Sequence, residues 1–304
     1  MKISASLVVY ISFFVDLLDI LLSLTVVILS GSVIMLSQLL EGISDLISSS
    51  LLLVGIARAR QKEDRAHPFG FGRELYFWAL MSGIVTLTIS ATLSIYFGWQ
   101  RFINPEHIHN ITLAFLVLIF TAFTNGWAFY LSLRRLLGNR SLKSILGIFL
   151  NSSRIETKTT FVLDLMGTAA SVIGIVALIL YQITGDFRFD GLGAIVIGTS
   201  LIILAYILLM GVVDLIVGRS ASLEVEGKIK TTALNTPEVK KILGLKTLHI
   251  GSEKLLVNLE VNLEPNLTTT DIEKLIHKIK EDIKKEVPEV KHIQVELETP
   301  EISK

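Results

Sequence analysis

The sequence predicts a membrane bundle of six transmembrane α-helices followed by a small α+β domain of ferredoxin-like or metallochaperone-like type, with the order αββαβ. Three observations carry this. Of 304 residues, 51% are hydrophobic and 18% charged, whereas soluble domains run near ~25% charged. The charge is unevenly spread: residues 220–304 hold 28 of the 56 Lys, Arg, Asp and Glu side chains. Before that point lie six apolar stretches, each reaching the roughly 20 residues needed to cross ~30 Å of hydrocarbon. The expected division is 1–219 for the transport domain and 220–304 for the soluble one.

The six stretches fall at about 6–29, 33–57, 74–99, 111–135, 158–182 and 190–214. In lipid every backbone polar group must be bonded internally, so each is expected to be helical. The first is read as a span and not as a cleavable leader. Only Lys2 precedes it, Asp16 and Asp19 interrupt it, and no small-residue cleavage site follows. Orientation follows from the basic residues of the short loops. The connection between spans two and three carries Arg58, Arg60, Lys62, Arg65 and Arg73. That between four and five carries Arg134, Arg135, Arg140, Lys143, Arg154 and Lys158. The other side has Arg101 and Arg188. Both termini are therefore expected in the cytoplasm, with the chain in a prokaryotic plasma membrane.

Beyond span six the texture changes. Residues 222–234 suit a helix ending before Pro237, and 244–250 and 255–263 suit strands. In the second strand Val257, Leu259, Val261 and Leu263 alternate with Asn258, Glu260 and Asn262, the period of a half-buried strand. Thr270 and Glu273 have capping-box spacing. They open a helix with Leu275, Ile276, Ile279 and Ile283 on one face. A last strand, 292–298, turns Ile293, Val295 and Leu297 inward.

Composition also excludes function classes. With no cysteine there is no disulfide, thiolate metal site or cysteine nucleophile. Neither part has the basic excess of a nucleic-acid binder. No Gly-x-Ser-x-Gly or His-Glu-x-x-His occurs, so the expectation is a non-enzyme with no organic cofactor.

Carboxylates inside a span cost about 2.5–3.5 kcal/mol each on insertion scales, which makes each a functional hypothesis. Asp16, Asp19, Glu41, Asp45 and Asp164 lie well inside. Glu41 and Asp45 are four apart and share a helix face. Together they can chelate one divalent cation, or share a proton without it. Asp164 is the natural partner from another helix. Thr160, one turn earlier, either offers its hydroxyl to the same site or bonds back to its own helix. Asp16 and Asp19 either line a water cavity or proton path, or simply lock the bundle. Small residues around these acids (Gly42, Ser44, Ser48, Gly167, Thr168) allow close helix approach.

The second span reads Glu41-Gly-Ile-Ser-Asp45, and the next loop Asp64-Arg-Ala-His67-Pro-Phe-Gly-Phe71-Gly-Arg-Glu74. With six spans and a terminal αββαβ domain, the whole chain resembles the cation diffusion facilitator family of divalent-metal/proton antiporters. The resemblance implies a transport site of Glu41, Asp45, Thr160 and Asp164. Zinc-transporting members usually carry a histidine at the first position of one of these pairs, where this chain has Glu41 and Thr160. An all-oxygen set suits harder ions such as Mn²⁺ or Fe²⁺, with Zn²⁺ and Co²⁺ left open because carboxylates also bind zinc. The resemblance implies a second site of one Asp and two His in the 2–3 loop. Here Asp64 and His67 match two positions and Phe71 occupies the third. It further implies dimerisation through the soluble domain and metal held there, for which His249, Glu260, His292, Glu296 and Glu298 are the candidates. The expected partners are thus divalent metal ions, protons, the bilayer and a second copy of the chain. The competing expectation is a metal-sensing or scaffold protein that keeps the fold and transports nothing.

Overall fold

The computed structural model describes residues 5–138 and 140–299; Lys2, used above for orientation, lies outside them. The chain folds as two compact units, Met1–Arg60 with Glu74–Val213, and Gln61–Arg73 with Asp214–Lys304.

The first unit is helical. α1 (Ala5–Ser30) and α2 (Val33–Ala59) are joined by the Ser30-Gly31-Ser32 turn, where Gly31 takes a positive φ of 67° that costs a residue without a Cβ nothing. α3 (Glu74–Val85) and α4 (Thr92–Ile103) form one rod through the π-turn Thr86–Ala91. α5 (Ile111–Leu137), the short α6 (Ile145–Asn151), α7 (Ile155–Thr184) and α8 (Arg188–Val217) follow. Among the described residues, five stretches are long and apolar enough to cross a membrane: α2, the α3–α4 rod, α5, α7 and α8. α1, of 26 residues, precedes them.

Two features depart from the sequence reading. The third span, expected as a helix over about 74–99, is π-wound at its centre. There Thr92 Oγ1 donates to the Leu87 carbonyl, five residues back, at 2.8 Å. At the entrance of this π-turn Ser44 Oγ donates to Thr86 Oγ1 at 3.3 Å. The loop expected between spans four and five contains α6, and Lys158, counted as a loop cation, is a buried residue of α7. Its Nζ lies 5.4 Å from the Phe149 ring centroid.

The rods are held by two devices. Asp190, in the first turn of α8, accepts from Ser32 Oγ (2.7 Å), Val33 N (2.9 Å) and Ile34 N (3.0 Å), so a carboxylate from one helix caps another. Arg101 lies 3.6 Å from the same carboxylate. Along α4 and α8 the backbones touch: a Cβ on Gly98 would sit 2.9 Å from the Gly191 carbonyl oxygen, and one on Gly191 2.6 Å from that of Gly98. Only glycine permits this approach.

The second unit carries the α+β fold. α9 (Leu223–Leu234) precedes β1 (Val239–Gly251), β2 (Lys254–Leu263), α10 (Thr269–Glu286) and β3 (Val290–Leu297). The sheet order is β1-β2-β3, with β1 antiparallel and β3 parallel to β2. Leu255, Val257, Leu259 and Val261 of β2 pack with Ile229, Leu275, Ile279 and Ile283 in one core, the alternation and helix face expected from the sequence. The capping box sits two residues earlier than expected. Thr268 Oγ1 accepts from Asp271 N and Asp271 Oδ2 from Thr268 N, each at 3.2 Å, displacing Thr270 and Glu273. Asp271 also accepts the Thr268 hydroxyl, which with that amide holds its carboxyl below the usual range. The loop 61–73 belongs to this unit, with Gly72 lying against the Ile250 carbonyl and Gly251.

Candidate cation site

Asp16 and Asp19 of α1, Glu41 and Asp45 of α2, and Asp164 of α7 are all buried, each between 4% and 7% exposed. The helical repeat places Glu41 and Asp45 one turn apart on α2. Asp45 lies within electrostatic reach of Asp16 and Asp164 as well, so three helices bring their acids to one region. Glu41 Oε1 and Asp45 Oδ1 are buried and have no hydrogen-bond partner among the described residues. Such oxygens are costly unless a proton or cation satisfies them. Among the described residues, no three His, Asp or Glu side chains form a ready metal cage. The acids are gathered but not closed on one point.

Thr160 lies on the same buried stretch of α7, and its hydroxyl donates to the Glu156 carbonyl at 2.8 Å. The back-bond weighed from the sequence is therefore present, and it leaves the oxygen's lone pairs available as acceptors.

Asp16 and Asp19 have polar partners of their own. Ser49 Oγ donates to Asp16 at 3.1 Å. Asn125 Nδ2 of α5 donates to Asp19 at 2.5 Å, and Thr124 Oγ1 lies 3.4 Å from it. One turn before Glu41, Gln38 Oε1 accepts from Ser171 Oγ of α7 at 3.0 Å. Sequence reading missed Asn125 and Gln38. The available signal was an amide in each of two otherwise apolar stretches, Phe123-Thr-Asn125 and Leu36-Ser-Gln38.

In the 61–73 loop, His67 N donates to Asp64 Oδ1 at 2.6 Å and His67 Nδ1 lies 3.0 Å from the same oxygen. The backbone amide holds the Asp64 carboxyl below its usual range. The third position is filled by Phe71, whose ring centroid is 4.2 Å from that of His67.

The five soluble-domain candidates do not come together. Glu260 and Glu296 are direct partners on β2 and β3, and His292 is partnered with Leu256 on the same outer face. His249 is partnered with Leu255, a core residue, and so faces the other side of the sheet. Period-two counting within one strand does not give the register between strands. Glu260 pairs with Lys246 at 3.3 Å. Glu296 accepts from Gln294 at 3.0 Å, His292 lies edge-on to Phe69, and the Glu298 carbonyl accepts from Asn262 at 3.0 Å.

Comparison with known proteins matches two family profiles: the cation efflux transmembrane domain over residues 9–217 and the cation efflux protein cytoplasmic domain over 221–300. Human SLC30A9, a mitochondrial proton-coupled zinc antiporter, is 24% identical over 307 residues, covering 88% of this chain and 54% of its own length. This chain thus spans about half the length of the SLC30A9 relatives it matches. The zinc transporter ZitB of Pectobacterium atrosepticum is 26% identical, with 89% and 77% covered. The cation-efflux pump FieF of Shewanella oneidensis is 27% identical, with 73% and 70% covered. Among solved structures, a nickel form of the MamM C-terminal domain is 16% identical over 26% of this chain and all of that one, with a TM-score of 0.25.

Proposed function

The chain belongs to the cation efflux family, and from that premise we propose that it exports a divalent cation in exchange for protons, using Glu41, Asp45, Thr160 and Asp164. The observation that carries this reading is the gathering of buried acids from α1, α2 and α7 around two unsatisfied carboxylate oxygens. Relatives named as a proton-coupled antiporter and an efflux pump support the reaction class.

The chemistry needs no covalent step. In the inward-open state the acids lose protons and take up a cation, whose charge lowers the cost of holding them in a low dielectric. In the outward-open state protons displace the cation from the same oxygens. Competition for one set of ligands couples the two flows. The donors are oxygens, which favours Mn²⁺ or Fe²⁺ over zinc. The domain division is 1–219 for transport and 220–304 for dimerisation, with both termini in the cytoplasm. The basic loops support that orientation even with Lys158 removed from the count.

The test is a proton-flux screen of the full chain in liposomes across Mn²⁺, Fe²⁺, Co²⁺, Zn²⁺, Cd²⁺ and Mg²⁺. Expected are flux with Mn²⁺ or Fe²⁺ and metal uptake by the vesicles. Flux with none of them, and no uptake, would leave the sensor or scaffold reading instead.

A further inference from the structure

Asn125 of α5 bonds an acid of α1, and its two ends are chemically distinct. Nδ2 donates to the Asp19 carboxylate of α1 at 2.5 Å. With its NH₂ given to α1, the amide turns its carbonyl oxygen the other way. That oxygen faces Gly167 of α7, three residues beyond Asp164. A Cβ built on Gly167 would lie 3.0 Å from Asn125 Oδ1 and 3.1 Å from Glu41 Oε1. The absence of a side chain at Gly167 thus lets one neutral and one acidic oxygen close in on the same spot of α7. Glu41 Oε1 is buried with no hydrogen-bond partner among the described residues, and Asn125 is itself 6% exposed.

We propose that Asn125 Oδ1 is a further ligand of the transported cation, placed opposite Glu41 across Gly167, and that it biases the site toward Mn²⁺ over Zn²⁺. A side-chain amide oxygen is a hard, neutral donor. It adds a ligand without adding charge, which suits ions of higher coordination number and disfavours a four-coordinate one. Asp19 then has a defined job, fixing which end of the amide faces the cation, as hydrogen-bonded partners of metal ligands do. The inference rests on the transport reading above and adds to it a ligand from a third helix, α5.

A purely structural role for Asn125, as the donor that keeps Asp19 buried, makes a different prediction. The experiment is calorimetric titration of Mn²⁺ and of Zn²⁺ into the detergent-solubilised full chain, for the wild type, Asn125→Ala and Gly167→Ala. Gly167→Ala leaves Asn125 and Asp19 both present and presses a methyl group against the Asn125 and Glu41 oxygens, which have to give way slightly. The expected result is a loss of Mn²⁺ affinity of roughly tenfold or more in both variants, with Zn²⁺ affinity falling by less, so that the Mn²⁺:Zn²⁺ ratio drops. An unchanged ratio in either monodisperse variant overturns the proposal. Because binding is read apart from flux, a wild type that binds both ions but moves no protons defeats the transport reading and leaves this one to be judged on its ratio.

Discussion

The carboxylate of Asp190 accepts the hydroxyl of Ser32 at 2.7 Å, joining residues 158 positions apart at one end of the bundle. The same carboxylate takes the Val33 and Ile34 amides. Asp190 thus fixes the start of α2, the helix that carries Glu41 and Asp45, to the start of α8.

Replacing Asp190 by Ala strands two buried amides and a hydroxyl and leaves Arg101 without its buried partner. Such losses cost about 3 kcal/mol. Thermal unfolding in detergent should show a clear drop in Tm, whereas Gln182→Ala, at an exposed site near the end of α7, should leave it near the wild-type value.

Asp45→Ala and Asp164→Ala each remove a buried acid from the shared region. Metal-driven proton flux in liposomes should fall below detection in both, while size-exclusion profiles stay monodisperse. Retained flux in both variants would discard the proposed site.

In the 61–73 loop, Phe71→His should complete a set with Asp64 and His67. Calorimetry is expected to register about one additional zinc equivalent per chain over wild type. No gain would mean that the ring position at 71, packed on His67, is not oriented for ligation.

The capping box of α10 gives a pH-dependent prediction. Thr268→Ala should cost about 1 kcal/mol, visible as faster hydrogen exchange in the first turn of α10. The Asp271 carboxyl sits below its unfolded value. Its stabilisation is therefore complete above the unfolded pKa and lost as pH falls through the lower folded one. Protection factors in that turn, taken against the intrinsic exchange rate at each pH, should fall under acid in the wild type and depend less on pH in Asp271→Asn.

Much of this architecture was legible in the residues. Long apolar runs allow no backbone solution in lipid other than the helix, and the alternation through Val257–Leu263 left one strand reading. The acids stood out because their burial is expensive. What stayed hidden depends on relations between distant segments. The π-turn at Thr86–Ala91 has no apolar signature, since inserting one residue into a uniformly hydrophobic run changes no pattern. The opposite facing of His249 and Glu260 follows from strand register. Asn125 carries no charge, and its bond to Asp19 shows only when α1 and α5 are seen side by side. Lys158 counts with the loop in the sequence because the apolar stretch 158–182 starts at it; the helix in fact begins three residues before it.

The glycine seam of α4 and α8 has a mechanical consequence. With carbonyl oxygens already seated against the opposite main chain at Gly98 and Gly191, a single methyl group added at either position would have to wedge the two rods apart.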